Sequence, residues 1–264
     1  MASETVLVTG ASSGIGRELA KCFAADGSRL ILVARSGPAL ESLAVELRQS
    51  HKIEAQVFTA DLALPETPCR IFESLEEAGT RVDVLVNNAG FGTQGPFADT
   101  VLERQLEMLQ VNITALTHLT RLFLPGMIER RHGGVLNVAS TAAFQPGPLM
   151  AVYYATKAYV VSFSEAIAEE LRGRGVTVTA LCPGPTFTNF TAVAGMVNSP
   201  LFKFGAMSAE SVARIGHDAF RRGRFIAVAG LKNWLAAFSV RLMPRLIVRK
   251  ITHRLNGGGH GSES

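Results

Sequence analysis

Short apolar segments alternate with longer amphipathic segments along most of the chain. The short segments are almost continuously apolar, which is typical of parallel strands buried on both faces of a sheet. The longer segments repeat apolar residues every three or four positions, which predicts helices that cover the sheet. The alternation therefore predicts an α/β fold with a doubly wound parallel sheet and helices on both faces. Strands are predicted at Thr5–Thr9, Arg29–Ala34, 54–59, 82–87, 134–139 and 176–181, and helices at 15–26, 39–50, 66–78, 100–131 and 152–173.

The length of 264 residues favours one domain that folds without disulfides or a structural metal. We predict a single domain over 1–230 that includes a substrate loop at 185–210, a basic amphipathic extension over 231–256 and a disordered tail over 257–264. The three cysteines are far apart, without a CxxC pair or a histidine cluster beside them. No metal site is therefore expected, and the absence of a signal peptide pattern predicts a cytoplasmic location.

The net charge of +4 combines two regions of opposite sign. Residues 1–199 hold 15 Lys and Arg against 19 Asp and Glu, whereas residues 200–264 hold 11 against 3. A basic chain invites the hypothesis of a nucleic-acid partner. Here the excess lies at the C-terminal end, without aromatic residues interleaved on a strand and without a DNA-reading helix motif, so no nucleic-acid binding is expected.

The basic C-terminal region has helical character over 231–255, interrupted at Pro244. Arg241, Arg245 and Arg249 follow one another at i,i+4 spacing among apolar residues. A basic amphipathic helix can make peripheral contact with an anionic membrane, cover a substrate cleft or dock on another subunit. The sequence leaves these alternatives open, together with that of a loosely held tail.

A glycine-rich loop lies between the first predicted strand and the first predicted helix. Its glycines allow a tight turn and let a pyrophosphate approach the backbone at a helix N-terminus. A simple tight connection is the alternative, but the position at the first strand-to-helix turn favours a dinucleotide site of the Rossmann type. The residues expected to form it are Gly10, Ser12, Ser13, Gly14, Ile15 and Gly16.

Residues 9–16, TGASSGIG, resemble the cofactor loop of the short-chain dehydrogenase/reductase family in its single-domain branch. The resemblance extends over residues 5–190 through further motifs and implies an oxidoreductase with a nicotinamide dinucleotide cofactor. It also implies three more groups of cofactor contacts. These are Asp61 and Leu62 at the adenine ring, Asn88, Ala89 and Gly90 on the adenosine side, and Pro183, Gly184, Thr186 and Thr188 at the nicotinamide carboxamide.

The end of the second predicted strand indicates which dinucleotide is bound. NAD-preferring folds tend to have an acidic residue here that bonds the ribose 2′-hydroxyl. This chain has Ala34-Arg35-Ser36 and no acid before Glu41. A guanidinium can hold a 2′-phosphate through two hydrogen bonds, whereas a carboxylate would repel it. NADP(H) is therefore the predicted cofactor, and an arginine merely solvated at a strand end is the alternative.

Tyr153 and Lys157 lie four residues apart in a predicted helix, so their side chains share a face. A nearby ammonium lowers the pKa of a phenol, which can then exchange a proton with a carbonyl oxygen during hydride transfer. Lys157 can also bond the cofactor ribose. Tyr154 is three residues from Lys157, and spacing alone does not exclude it. The family resemblance selects Tyr153.

Two more catalytic residues follow from the resemblance. Ser140 ends the fifth predicted strand, and its hydroxyl is expected to orient the substrate oxygen towards Tyr153. An ordinary strand-end serine is the alternative. Asn112 matches the position that holds a water linking Lys157 to solvent, although a mid-helix asparagine can equally distort its helix.

Apolar residues are frequent in the segments expected to wall the substrate site, 91–97, 142–152 and 190–207. They favour a ketone, acyl or steroid-like compound over a sugar or a phosphorylated metabolite, but they can instead pack in the core or against a partner. The wall residues predicted are Phe91, Phe97, Phe144, Leu149, Met150, Phe190, Met196, Leu201, Phe202 and Phe204.

The combined motifs predict NADP(H)-dependent hydride transfer to or from a small apolar carbonyl or alcohol substrate. A catalytically silent NADPH-binding regulator or scaffold is the alternative. Such a protein would typically have lost Tyr153, Lys157 or Ser140, and all three are present. The resemblance also implies a homodimer or homotetramer built on the helices over 100–131 and 152–173.

Overall fold

The computed structural model describes residues 3–188 and 205–257. In chain order the strands of these ranges are β1 (Thr5–Thr9), β2 (Arg29–Ala34), β3 (Ala55–Thr59), β4 (Val84–Asn87), β5 (Gly134–Val138), β6 (Thr177–Cys182), β7 (Thr186–Phe187), β8 (Met207–Ser208) and β9 (Ile226–Val228). Seven strands form one parallel sheet in the order β3-β2-β1-β4-β5-β6-β9. The two short strands β7 and β8 pair with each other in parallel.

Helices cover both faces of this sheet. They are α1 (Gly14–Ala25), α2 (Gly37–His51), α3 (Thr67–Glu77), α4 (Leu102–Leu109), α5 (Leu116–Arg130), α6 (Ala151–Glu170), α7 (Ala209–Arg221), α8 (Leu231–Ser239) and α9 (Arg245–Asn256). A π-helical turn at Gln110–Ala115 joins α4 to α5, and a 3₁₀ turn at Thr141–Phe144 follows β5. The predicted fold class, a doubly wound parallel sheet of the Rossmann type, is confirmed.

Alternate residues of the strands pack into two separate hydrophobic cores, because successive side chains point to opposite faces of a sheet. Val6 and Val8 of β1 pack on the face that carries α1, α2 and α7. Leu7 packs on the other face with side chains of α3, α5 and α6. Both cores are fully buried at β1, which explains why this strand is continuously apolar in the sequence.

Buried amides, as well as apolar packing, link the strands to the helices on the face that carries α5 and α6. Asn87 at the end of β4 donates from its amide to the Thr120 hydroxyl of α5 at 3.0 Å and to Asn137 Oδ1 of β5 at 2.9 Å. Asn137 in turn donates to Ser164 Oγ of α6 at 2.9 Å. These bonds fix the register of the helices behind the sheet.

The chain reverses its direction of winding between β1 and β4, since β2 and β3 lie on one side of β1 and the later strands on the other. In open α/β sheets ligands bind outside the carboxyl ends of the strands at such a switch point. The loops after β1, β2, β4 and β5 meet at this edge, and they carry most of the residues singled out in the sequence.

The structure differs from the predicted elements in several places. The predicted helix 100–131 contains the π-helical turn, and the sequence pattern did not predict α7, β7, β8 or β9. The region 231–255 forms the two helices α8 and α9, with Pro244 as the N-cap residue of α9. Within the described ranges, no helix has both the length and the apolar character needed to span a bilayer.

Candidate active site

A cleft of about 540 Å³ opens at the carboxyl ends of the central strands. It brings together nearly all of the residues predicted to bind the cofactor or to act in catalysis. Gly16 and Asn112 do not line it, so direct contact of these two residues with a ligand is not supported. The predicted residues that line the cleft are Gly10, Ser12, Ser13, Gly14, Ile15, Arg35, Asp61, Leu62, Asn88, Ala89, Gly90, Ser140, Tyr153, Lys157, Pro183, Gly184, Thr186 and Thr188.

The glycine loop needs its glycines for conformation and for close packing. Gly10 and Gly14 have φ values of +65° and +55°, in the left-handed region that favours glycine. A Cβ at Gly10 would lie 2.9 Å from the backbone of Ala89. A Cβ at Gly16 would overlap the Asn88 amide and the Gly10 carbonyl. Gly16 therefore lets the loop pack closely against Asn88 and Gly10. This packing explains why a glycine is needed at position 16 even though Gly16 does not line the cleft.

The loop is held by Thr9 and Asn88. The Thr9 hydroxyl accepts hydrogen bonds from the backbone N–H groups of Asn88 and Ala89 at 3.0 and 3.1 Å. The Asn88 side-chain amide donates to the carbonyl oxygens of Thr9 and Gly10 at 3.0 and 3.2 Å. Both amide hydrogens of Asn88 are thus used to brace the loop, so its side chain shapes the predicted pyrophosphate cradle.

The end of β2 presents one cation to the cleft. Arg35 is exposed, lines the cleft and has no hydrogen bond or ion pair with the residues that the structure describes. Ser36 beside it lines the cleft as well, although sequence reasoning did not single it out as a contact. Its hydroxyl makes no cap bond to α2 and is available to a ligand. The pair has the donors that a phosphate group requires.

The adenine pocket predicted after β3 is formed by a turn that is stabilised by its own hydrogen bonds. Asp61 Oδ1 accepts from the backbone N–H of Ala63 at 3.0 Å, and the Asp61 carbonyl accepts from the Thr67 hydroxyl at 2.6 Å. These bonds fix the position of Leu62, whose side chain is buried at the cleft wall. The segment therefore offers a firm apolar surface of the kind that a flat aromatic ring can rest on.

Tyr153 is buried in the cleft and hydrogen-bonds with Ser140. Burial raises the pKa of Tyr153 well above its usual range, and the hydrogen bond with Ser140 opposes that rise only in part. Ser140 is fixed in turn because its Oγ accepts from the Ala142 N–H at 3.1 Å as the cap of the 3₁₀ turn. In the chain by itself, the phenol is therefore held protonated at neutral pH.

Lys157 lies behind this pair, one turn along α6. Its Nζ donates to the carbonyl of Val138 at 2.8 Å and is 5.9 Å from the centre of the Tyr153 ring. Burial lowers the pKa of Lys157 to about 8, with an opposing contribution from Cys182. In the chain alone, burial sets the direction of the Tyr153 pKa, and an effect of Lys157 on that pKa with the cofactor bound stays a prediction.

Asn112 lies in the π-helical turn rather than in a regular helix. Its Oδ1 accepts from the Phe91 N–H at 3.1 Å, and its amide donates to the Phe91 carbonyl at 3.0 Å and to the Thr156 hydroxyl at 3.1 Å. The side chain thus fastens the segment after β4 to α6, next to Lys157. π-Helical turns are frequent at functional sites, since they re-aim backbone groups out of a regular helix.

Tyr154, the alternative candidate for the catalytic tyrosine, makes its hydrogen bond away from Ser140. Its hydroxyl donates to Asn256 Oδ1 at 3.2 Å, and the Asn256 amide donates to the Pro148 carbonyl at 2.9 Å. The Gln94 amide also donates to the Asn256 carbonyl. Sequence reasoning missed Asn256, because only the fold brings the end of α9 to the cleft. The geometry therefore favours Tyr153, which is beside Ser140, as the residue that acts on a substrate.

The segment after β6 closes the other side of the cleft. The Pro183 carbonyl accepts from the Thr141 N–H at 2.8 Å, and the Thr186 hydroxyl donates to the Gly184 carbonyl at 2.9 Å. Thr188 packs near Gly14, where a Cβ would be 3.0 Å from its methyl group. The nicotinamide contacts predicted here are therefore adjacent to the glycine loop, as one bound dinucleotide requires.

Only part of the predicted substrate wall lines the cleft. Phe91 and Met150 do so, together with Ala142, Val111 and Tyr154. Phe97 is exposed, and Phe97, Phe144 and Leu149 do not line the cleft, so the structure does not support these three predictions. The predicted wall residues Phe190, Met196, Leu201, Phe202 and Phe204 lie outside the described residues.

The sequence has relatives of known class. Residues 4–196 match the family described as short chain dehydrogenase. The chain is 30% identical over 261 residues to dehydrogenase/reductase SDR family member 7B of Mus musculus, which covers 94% of this chain and 80% of that protein. It is 34% identical over 187 residues to the very-long-chain 3-oxoacyl-CoA reductase of Homo sapiens, which covers 68% of this chain and only 58% of that enzyme.

Solved structures resemble most of the chain. A short-chain dehydrogenase from Sphingobium yanoikuyae in complex with NADPH has a TM-score of 0.81 and 32% identity, over 90% of this chain and 94% of that one. A bulky-bulky ketone specific alcohol dehydrogenase from Comamonas testosteroni has a TM-score of 0.78 and 28% identity, over 92% and 93%. A short-chain dehydrogenase/reductase from Burkholderia phymatum in complex with NAD has a TM-score of 0.80 and 26% identity, over 91% and 92%. With a family match over most of its length, the chain belongs to the short-chain dehydrogenase/reductase family of oxidoreductases.

Proposed function

We propose that this oxidoreductase is NADP(H)-dependent and transfers hydride between the nicotinamide and a carbonyl or secondary alcohol of an apolar substrate. The observation that carries the proposal is the hydrogen-bonded pair of Tyr153 and Ser140 in the cleft that also contains the glycine loop. A proton donor and a dinucleotide cradle in one cleft are what carbonyl reduction needs.

The cleft fits a phosphorylated dinucleotide. Gly10 and Gly14 leave open backbone at the N-terminus of α1, where a pyrophosphate is stabilised by unpaired N–H groups and the helix dipole. Arg35 and Ser36 would hold a 2′-phosphate at the far end of the cleft. Similar proteins bind NADPH in one case and NAD in another, so the preference for NADP(H) rests on Arg35 and on the missing acid.

Residues of the chain would supply the proton that the substrate carbonyl oxygen takes up during reduction. Ser140 would bond the substrate carbonyl oxygen and hold it against the Tyr153 hydroxyl, which donates its proton to that oxygen as the alcohol forms. The raised pKa of Tyr153 supports the acid role, because the phenol is still protonated at neutral pH. Lys157 would keep a positive charge near the phenolate left behind. When bound, the nicotinamide supplies the hydride for reduction and accepts it in the reverse direction.

The substrate class is inferred from the wall next to Tyr153. Phe91, Met150 and Ala142 form an apolar side of the cleft. Two similar proteins are named for large or long-chain substrates, a bulky ketone and a very-long-chain 3-oxoacyl-CoA. A hydrophobic ketone or acyl compound is therefore the proposed substrate for this chain as well.

The test is single-turnover oxidation of NADPH against a panel of carbonyl compounds, with NADH in parallel. We expect oxidation with long-chain 3-oxoacyl thioesters or bulky ketones, and little with small polar ketones. A panel in which the small polar ketones react fastest would contradict the substrate class. NADPH binding, followed by its fluorescence, without turnover on any compound would instead favour the catalytically silent regulator.

We also propose a homodimer or homotetramer, with a cytoplasmic location. Exposed apolar side chains on α4 and α6 support an assembly built on these helices. They include Leu102, Leu106, Leu109 and Tyr159. Light scattering should give a mass of two or four chains, and Leu106→Glu should reduce it to one.

A further inference from the structure

The apolar face of α8 points away from the core. Leu231, Trp234, Leu235 and Phe238 follow at i, i+3, i+4 and i+7 and therefore share one face of the helix. They are 72, 47, 52 and 44% exposed, and no residue of α8 is buried. A surface helix of a globular protein normally buries such a stripe. Here the stripe is open, with the rings of Trp234 and Phe238 stacked at 5.5 Å.

Exposed apolar side chains are present on α9 as well, although α9 is anchored to the rest of the chain. Another face of α9 buries Val248, Thr252 and Asn256, so the helix is not detached. Four further apolar side chains between the end of α8 and the end of α9 are exposed. They are Leu242, Leu246, Ile247 and Ile251. We refer to these four residues and the four of α8 as the C-terminal apolar surface.

The same segment of the chain is rich in positive charge. The segment 231–257 contains six Lys and Arg and no Asp or Glu. All six cations are exposed, and none has an ion-pair partner within residues 3–188 and 205–257. They are Lys232, Arg241, Arg245, Arg249, Lys250 and Arg254. The last three also line a shallow groove with His253, Pro148 and Leu246.

Charge decides which partner fits this surface. In a twofold dimer built on it, the same patch would face itself. The exposed cations of the two copies would then be brought together, which is unfavourable where water is excluded. An anionic lipid surface offers the opposite charge to the cations and an apolar interior to the Trp, Phe, Leu and Ile side chains. Of the two partners compared, a second copy of the chain and a membrane, only the membrane matches both the cations and the apolar side chains.

We propose that the C-terminal apolar surface and its cations bind the face of an anionic phospholipid membrane. The apolar side chains of α8 and α9 enter the boundary between headgroups and acyl chains, and the cations contact the lipid phosphates. The bound segment leads to Asn256, which contacts the cleft residue Tyr154. The proposal does not depend on the reaction catalysed, because no part of it involves the cofactor or a substrate.

The chain contains one tryptophan, Trp234, and this residue reports on the proposed surface directly. The full chain is mixed with vesicles of phosphatidylcholine, with or without about a third of phosphatidylglycerol. With the anionic vesicles we expect a blue shift of the tryptophan emission and co-sedimentation of the protein. Both signals should weaken in high salt, because exposed charges are screened. Pure phosphatidylcholine vesicles should give much smaller signals.

Two variants test the two components of the surface separately. Replacing Arg245, Arg249 and Lys250 with Gln should weaken binding to anionic vesicles by about 100-fold, since each cation near the surface contributes about fivefold. The matched control replaces Arg70, Arg81 and Arg174 with Gln, which changes the net charge equally at exposed positions elsewhere. The variant Leu235→Gln/Phe238→Gln retains Trp234 and should weaken binding by about 100-fold or more.

The outcomes are distinct. Absence of vesicle binding by the unchanged chain overturns the proposal. Equal binding to neutral and anionic vesicles, or equal losses in the two triple variants, overturns the role of the cations and with it the proposal. If Leu235→Gln/Phe238→Gln halves the mass measured by light scattering while no vesicle is bound, the surface is a contact between copies. Circular dichroism checks that each variant is folded, and none of these measurements uses turnover.

Discussion

The cleft and the C-terminal apolar surface use positive charge in opposite ways. In the cleft, Lys157 is buried, bonded to a backbone carbonyl and reduced in pKa to about 8. On the C-terminal surface, six cations are exposed and none has an ion-pair partner among the described residues. The net charge of +4 gives no hint of this division. The location of each charge, rather than the sum, indicates which chemistry it serves.

The buried cation of the cleft and the exposed cations of the C-terminal surface should respond differently to salt. A buried cation acts through the loss of its hydration, which salt does not change, whereas exposed cations act through a field that salt screens. Apolar residues follow the same division, since they fill two buried cores around the sheet and lie open on α8. Changes in one region should therefore leave the function of the other region intact, and the predictions below test this independence.

The largest effect is expected from Tyr153→Phe, which removes the proton donor and little else. Turnover should fall by about 10³-fold, the usual contribution of general acid catalysis, while NADPH affinity changes little. Single-turnover kinetics and NADPH fluorescence titration measure the two quantities. Tyr154→Phe is the matched control, because it removes a hydroxyl that is bonded to Asn256 instead of Ser140. Retained turnover in Tyr153→Phe would overturn the assignment.

The next effect concerns the stability of the fold and the pKa of Lys157. Burial lowers this pKa from 10.5 to about 8 in the folded chain. Between these two pH values the unfolded chain binds a proton that the folded chain does not, so the free energy of unfolding rises with pH. Lys157→Met removes this contribution. The difference between the unchanged chain and the variant should therefore grow by about 3 kcal/mol across the window.

Urea unfolding without cofactor measures this difference as a function of pH. Below the folded pKa both states bind the proton, so the two chains should show parallel pH dependence there. That region is an internal control for other titrating groups. A difference that stays constant up to pH 10.5 would mean that Lys157 is hydrated in the folded chain, contrary to its burial.

A smaller effect is expected from Arg35→Asp, which puts an acid in place of a cleft cation that has no ion-pair partner among the described residues. The ratio of kcat/KM for NADPH to that for NADH should fall by about 10- to 100-fold, as expected for loss of a hydrogen bond between charged groups. The dissociation constant for NADPH should rise accordingly. Arg70→Asp is the matched surface control. An unchanged ratio in Arg35→Asp would mean that Arg35 does not contact the 2′-phosphate.

The sequence was sufficient for features that depend on local pattern. The strand Arg29–Ala34 was predicted with its exact bounds because it is continuously apolar, and the glycine loop because its residues are adjacent. Features that depend on the assembled fold could not be predicted. The π-helical turn around Asn112 spans only six residues within a longer helical pattern, and β9 has only three residues. The pKa of Lys157 depends on how many groups surround it.

The contact of Tyr154 with Asn256 is the clearest case of this limit, since 102 residues separate the two along the chain. It is also one of the contacts that join the cleft to the C-terminal helices. The last prediction, which has the smallest expected effect, tests the contact between Tyr154 and Asn256. Tyr154→Phe should lower the free energy of unfolding by about 1 kcal/mol, because the buried Oδ1 of Asn256 loses its donor.

A double-mutant cycle with Asn256→Ala isolates the contact from the other bonds of Asn256. That substitution also removes the bond to the Pro148 carbonyl, so its own cost should be larger. The coupling between the two positions should be about 1 kcal/mol in urea unfolding. Vesicle binding should stay unchanged in Tyr154→Phe, because the C-terminal apolar surface is untouched. A coupling near zero would show that α9 is held by Val248 and Thr252 instead, and that the two regions are energetically separate.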